Sequence, residues 1–275
     1  GDPLQRGNVE GFLEVPSKEK YLEFHCLEHW TEYYTAYGVD LQRRFFARFL
    51  KGDDETWKDQ PRVLMQVRHV DGTWAARGEN EWPLARTQWT KFHLDPADRS
   101  LRREESQKTA SLSYDPMGEG VTFLTPPLAA ETEITGPVAA KLFVSSQSSD
   151  ADIFLALRLF APDGREVHFQ GSNDPHTPIG LGWLRASHRK LDPALSLPYR
   201  PFHAHGELKP LTPGEPVQLD VEIWPTCIVA PAGYRIGLSV RGNDYHYSGP
   251  PVVTAGSKFE QSGGGPFVHN NPKDR

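Results

Sequence analysis

Beyond Pro61 the chain alternates apolar and polar residues with period two, whereas one stretch before it carries a helical period. Val217, Leu219, Val221 and Ile223 alternate with Gln218, Asp220 and Glu222, which predicts a half-buried strand with one wet face. Ile236, Leu238 and Val240 repeat the pattern after a turn at Pro231-Ala232-Gly233. Val63, Met65 and Val67 form a third such face, and Val138, Ala140, Leu142 and Val144 a fourth. Residues 153–160 are nearly all apolar and read as a central strand covered on both sides. Pro162-Asp163-Gly164 then predicts a turn into residues 166–169, and so a hairpin. Thr125-Pro126-Pro127 and Thr212-Pro213-Gly214-Glu215 separate further strands. Seven or more short strands with almost no helix describe a mostly β fold, an antiparallel sandwich or jelly roll; pattern alone leaves a closed barrel open.

Before residue 60 the grammar differs. A strand-like run, Tyr21-Leu22-Glu23-Phe24, precedes a helix predicted over residues 37–51. Leu41, Phe45, Phe46, Phe49 and Leu50 make one apolar stripe on it, expected to be buried, with Arg43, Arg44 and Arg48 between them. Gly52 follows as a C-cap. A shorter helix is expected over residues 9–15, after Asn8 and before Pro16. Two regions follow, 1–60 and 61–275, the second ending in a glycine-rich polar tail, residues 261–275, expected to fray.

Composition narrows the function. The 275 residues are 24% charged and 37% hydrophobic, which suits a soluble globular protein. Glycine and proline, 24 of each, exceed the usual share and fit many turns. A net charge of −6 gives no electrostatic footprint for nucleic acid or an anionic membrane, so neither is expected as a partner. No apolar run nears the ~20 residues that span a bilayer, and no signal-peptide pattern opens the chain. Cys26 and Cys227 alone exclude a disulfide scaffold and favour a reducing compartment, hence a cytoplasmic location. Opening on Gly1 instead of methionine leads us to expect that processing or truncation removed something upstream.

Candidate chemistry centres on His25-Cys26-Leu27-Glu28-His29-Trp30, where a short apolar strand ends before a long amphipathic helix. A general base needs an imidazole held at such a strand end and aimed into a cleft, although ordinary loop histidines look the same in sequence. A metal reading of His25 and His29 lacks a third ligand, as does one of His203 and His205. Asp150 and Asp152 suit turn hydrogen bonding as well as calcium, and Trp74, Trp82 and Trp89 suit packing as well as a sugar or acyl platform. No Gly-x-Ser-x-Gly nucleophile elbow occurs, so a catalytic triad cannot be completed within the chain.

The wording of several segments resembles CocE/NonD acyl esterases and X-prolyl dipeptidyl peptidases. They include Gly78-Glu79-Asn80-Glu81-Trp82-Pro83-Leu84-Ala85-Arg86-Thr87, Phe123-Leu124-Thr125-Pro126-Pro127-Leu128 and Ile134-Thr135-Gly136-Pro137-Val138. Asp150-Ala151-Asp152-Ile153-Phe154, Gly182-Trp183-Leu184-Arg185-Ala186-Ser187-His188-Arg189, Val221-Glu222-Ile223-Trp224-Pro225-Thr226 and Pro231-Ala232-Gly233-Tyr234-Arg235-Ile236 follow in family order. Arg6-Gly7-Asn8-Val9-Glu10-Gly11-Phe12 and Phe45-Phe46-Ala47-Arg48-Phe49-Leu50-Lys51-Gly52 resemble the end of the family's α/β-hydrolase domain.

The resemblance implies an antiparallel jelly-roll β-sandwich preceded by the C-terminal strand and helix of an α/β-hydrolase domain. It also implies a Ser-His-Asp triad acting on small esters or X-prolyl peptides, of which only the histidine is represented here. His25, directly after the strand, is the expected base and His29 the rival. Asp2 is the candidate for the aspartate, and the serine is expected upstream. The expected partners are an N-terminal α/β-hydrolase domain and the ester or peptide substrate, with homo-oligomer contacts left open. No cofactor or metal is implied, and the chain alone is expected to be inactive. The alternative is a non-catalytic carbohydrate- or protein-binding β-sandwich module.

Overall fold

The computed structural model describes residues 5–27, 30–171 and 175–249. Among them lie three helices, α1 (Gln5–Glu14), α2 (Thr31–Tyr34) and α3 (Ala36–Lys51). The strands are β1 (Leu22–Phe24), β2 (Val63–Arg68), β3 (Trp74–Glu79), β4 (His93–Asp95), β5 (Ser100–Arg102) and β6 (Val121–Leu124). After them come β7 (Thr132–Val144), β8 (Asp152–Phe160), β9 (Glu166–Val167), β10 (Gly180–Arg185), β11 (Val217–Ala230) and β12 (Arg235–Arg241). The fold is mostly β, in two sheets. One runs β1-β2-β11-β7 with β3 also on β2, and the other β10-β8-β12-β6-β5-β4 with β9 also on β8.

The apolar run at residues 153–160 is the expected central strand: β8 lies between β10 and β12 and forms the expected hairpin with β9. Strand direction departs from the antiparallel expectation. β1 and β2, β2 and β11, and β5 and β6 pair in parallel, so both sheets are mixed. Alternation records which face of a strand is buried and says nothing of its direction, whereas a helix between two strands lets the second return parallel to the first. β11 is also longer than its alternating run. Its ladder with β7 slips between Ile223 and Thr226, around Pro225, which has no N–H to donate, and resumes to Ala230.

Two apolar cores result. Leu155, Leu159, Leu219, Val221 and Ile223 fill the space between the sheets with Phe123 and Leu238. A second core gathers Val9 and Phe12 of α1, Leu22 of β1, Val63, Met65 and Val67 of β2, Trp82, Leu84, and Cys227 and Val229 of β11. Val63 and Met65 are fully buried there, and burial of each such side chain contributes about 1.5–3 kcal/mol. The C-terminal half of β11 serves both cores, with Ile228 and Ala230 in the first and Cys227 and Val229 in the second. Ion pairs fasten α1 to the β-rich part, Arg6 Nε to Glu222 Oε2 and Arg200 Nη1 to Glu10 Oε2, both 2.8 Å.

Helix α3 ends where predicted, at Lys51, and begins one residue before the predicted start. The Thr35 hydroxyl accepts from Gly38 N–H at 3.1 Å, and Gly52 adopts the left-handed φ of 73° that caps the C-terminus. Its apolar stripe corrects the sequence reading, because it is not buried. Phe45 and Phe49 have Trp57 nearby, with ring centroids 5.5 and 6.0 Å away, yet Phe45, Phe46 and Leu50 are exposed. The helical period marks a face that needs covering, and nothing within the described residues covers it. None of the helices is long and apolar enough to cross a membrane, among the described residues.

One half-buried ionic cluster gives the fold a pH dependence. Arg158 Nε donates to Glu166 Oε1 at 2.9 Å, its Nη2 reaches Oε2, and the Tyr245 hydroxyl donates to Oε1 at 3.0 Å. Burial alone would raise the Glu166 carboxyl, but the hydrogen bonds from Arg158, His168 and Tyr245 hold it down from 4.5 to about 2. A depressed folded-state pKa stabilises above the unfolded value, and that stability is lost as the pH falls from about 4.5 to about 2. The thermal midpoint is therefore expected to fall across that window, and Glu166→Gln to flatten the slope while lowering the midpoint at neutral pH.

Candidate active-site edge

β1, α3 and β2 form a strand–helix–strand unit with the two strands parallel, Leu22 opposite Val63 and Phe24 opposite Met65. β3 occupies one edge of β2 along its whole length. The other edge is divided: β1 holds it as far as Met65, and β11 takes it at Arg68 through Ile228. His25 and Cys26 turn away where the two neighbours part. In sheets with parallel strands such a parting at the carboxyl ends is where ligands bind.

Side-chain bonds replace the ladder there. Cys26 N–H donates to Gln66 Oε1 at 2.8 Å, the Cys26 thiol donates to the Gln66 carbonyl at 3.2 Å, and Gln66 Nε2 donates to Glu32 Oε1 at 3.2 Å. These bonds fix the backbone next to His25. The His25 ring is half-buried, and its Nδ1 is buried without a hydrogen-bond partner among the described residues. A buried ring nitrogen ordinarily finds a partner, because leaving it unpaired costs about 1–3 kcal/mol.

Cys26 is no nucleophile. Burial pushes its thiol up to about 12, opposed by the Arg68 guanidinium, and burial likewise raises Cys227. Both thiols are buried and free. Their alkylation in native protein at pH 8 is expected to run about 100-fold or more below that of the unfolded chain, as read by mass spectrometry.

Other sequence candidates separate. His29 and Asp2 lie outside the described residues, as does the tail, residues 261–275. His205 Nδ1 meets His188 Nδ1 at 2.9 Å, and no group of three or more His, Cys, Asp or Glu is placed to hold a metal among the described residues. Asp150 accepts from the Ala151 and Ser187 N–H groups at 2.9 Å, and Asp152 pairs with Arg185 at 2.9 Å, so both serve the β8–β10 end. Trp82 is buried, Trp74 lies exposed on β3, and Trp89 stacks on Tyr199 at 4.2 Å, so the three tryptophans make no common platform. Sequence reading passed over Gln66, Glu32 and Arg68. For Gln66 and Arg68 the available signal was polar side chains at alternate positions of an otherwise apolar strand; Glu32, on α2, carried none.

Comparison with known proteins agrees with this architecture. Residues 55–274 match the family model described as the X-Pro dipeptidyl-peptidase C-terminal non-catalytic domain. The chain belongs to this family. Its fold superposes on a CocE/NonD family hydrolase from Staphylococcus aureus with a TM-score of 0.85 and 28% identity, covering 89% of this chain and 45% of that one. A protein named as a serine esterase in Mycobacterium bovis is 35% identical over 129 residues, 45% of this chain and 19% of the relative. Cocaine esterase of Rhodococcus sp. is 29% identical over 170 residues, 47% of this chain and 29% of the relative. The chain thus spans less than half the length of each, and it corresponds to the C-terminal part of a CocE/NonD-type hydrolase.

Proposed function

We propose that this chain is the C-terminal part of a serine hydrolase acting on small esters or X-prolyl peptides, with His25 as the general base of a Ser-His-Asp triad. The observation that carries the reading is the buried Nδ1 of His25 at the carboxyl end of β1, which has no hydrogen-bond partner among the described residues. A triad aspartate accepts a hydrogen bond from that nitrogen, fixing the tautomer that leaves Nε2 free to take the serine proton. The serine would attack the carbonyl, His25 would carry its proton to the leaving group, and water would release the acyl group by the reverse path. Serine, aspartate and oxyanion donors would come from an N-terminal α/β-hydrolase domain.

Residues 1–60 would be the end of that domain and 61–275 the C-terminal jelly-roll type domain, a division supported by the family match beginning at residue 55. The exposed Phe46 and Leu50 of α3 would then lie against the catalytic domain. The β-rich part would wall the cleft and set substrate size or oligomer contacts. Sequencing the coding DNA upstream of Gly1 tests the reading. An in-frame extension with a strand–Gly-x-Ser–helix elbow, and an aspartate shortly before Arg6, is expected. A start codon immediately before Gly1 would defeat it and favour a free-standing binding module.

A further inference from the structure

Gln66 is a buried polar residue in a strand whose other buried side chains, Val63, Met65 and Val67, are apolar. A leucine there would suit the strand, and burying an amide costs free energy unless its oxygen and nitrogen are both bonded. Both are: Oε1 accepts from the Cys26 N–H at 2.8 Å, and Nε2 donates to Glu32 Oε1 at 3.2 Å. One side chain therefore ties the end of β1 to the start of α2 and brackets the segment between them, which in sequence carries His29. The strand beneath it is held on both edges. β3 pairs along one, and Arg68, two residues on and on the same face, donates Nη2 to Thr226 Oγ1 of β11 at 3.0 Å. The Cys26 N–H shares a planar peptide unit with the His25 carbonyl, so the bond to Gln66 fixes the plane from which the His25 residue departs. At Nδ1 the His25 ring bonds nothing among the described residues, which leaves its direction to the backbone.

We propose that Gln66 is a positioning residue for the general base, acting through the Cys26 amide and Glu32. This rests on the hydrolase reading above and carries a consequence beyond it. Gln66 lies within the matched residues 55–274, so a domain described as non-catalytic holds the loop of the catalytic histidine. A base displaced by about 1 Å from its nucleophile costs about 10²-fold in rate, whereas substrate binding, built from other groups, is spared.

The test uses the longer hydrolase containing this chain, with p-nitrophenyl butyrate as the activated ester. Gln66→Leu removes both side-chain bonds and spares the one from the Cys26 thiol, which goes to the backbone carbonyl. Its kcat is expected to fall about 100-fold, with KM within about threefold of wild type. Glu32→Gln should keep kcat within about threefold, because its amide oxygen still accepts from Gln66. Gln66→Glu should lose about tenfold, since two carboxylates then meet without a proton between them. Combining Gln66→Glu with Glu32→Gln exchanges donor and acceptor and should return kcat to within about threefold of wild type, a rescue that general loosening of the fold would not give. Hydrogen exchange at the Cys26 amide should be at least about tenfold faster in Gln66→Leu, a readout that needs no turnover. Absent turnover in the wild type, with that exchange difference intact, would sink the hydrolase reading and the catalytic role with it, leaving the clamp on the loop standing. Unchanged kcat in Gln66→Leu, or a double variant no better than Gln66→Glu, would overturn the positioning role. A loss of kcat that merely tracks the fraction of unfolded protein would also overturn it, assigning Gln66 to stability alone.

Discussion

Changing His25 to alanine in the longer hydrolase is expected to lower kcat for an activated ester by about 10⁴-fold. Without the imidazole the serine keeps its proton, and only the oxyanion donors and substrate binding still act. The thermal midpoint should stay within a few degrees, because His25 is half-buried and its Nδ1 bonds nothing among the described residues. The same change at His29 should alter kcat by less than about tenfold, since the base is expected directly after the strand. Paired kinetics and thermal melts of the two variants decide the assignment. A large loss at His29 with little at His25 would move the role to the second histidine.

Gly182→Ala is expected to destabilise the chain by about 3 kcal/mol, lowering the melting midpoint by about 10 °C. β10 runs close against β11 at this corner, and a Cβ at position 182 would stand 2.1 Å from the Glu222 carbonyl oxygen and 3.1 Å from the Ile223 Cα. Both obstacles are backbone, so relief requires the strands to separate rather than a side chain to rotate. Gly206→Ala is the control, since its nearest neighbour would be 3.8 Å away and the midpoint should barely move. Thermal unfolding of both variants checks this, and similar midpoints would show that the β10–β11 corner yields readily.

Much of the fold was legible because burial writes a period. The faces of β2, β7, β11 and β12 were read from alternation, β8 from its apolar run, and the C-terminal end of α3 from Gly52, whereas its Thr35 cap was not read. Strand direction was not legible, because Leu22 and Val63 carry no mark of whether they will run parallel. Nor was the continuation of β11 through Pro225, which looks like an ending in sequence and is a skipped rung in space. At the candidate site, His25 stood out by its place after a strand. Gln66 and Arg68 did not, because their importance lies in partners 40 and 158 residues away.

The shared edge of β2 also sets a schedule. During synthesis the β1–α3–β2 unit has emerged by Arg68, yet β11, which completes that edge and supplies Cys227 and Val229 to the core beside it, follows about 160 residues later. At roughly 5–20 residues per second the ribosome takes about 8–30 s to deliver it. For that interval a nascent chain carries Val63, Met65 and Val67 beneath an incomplete cover, so this is the stage at which a chaperone, or an upstream domain already folded, has most to shield.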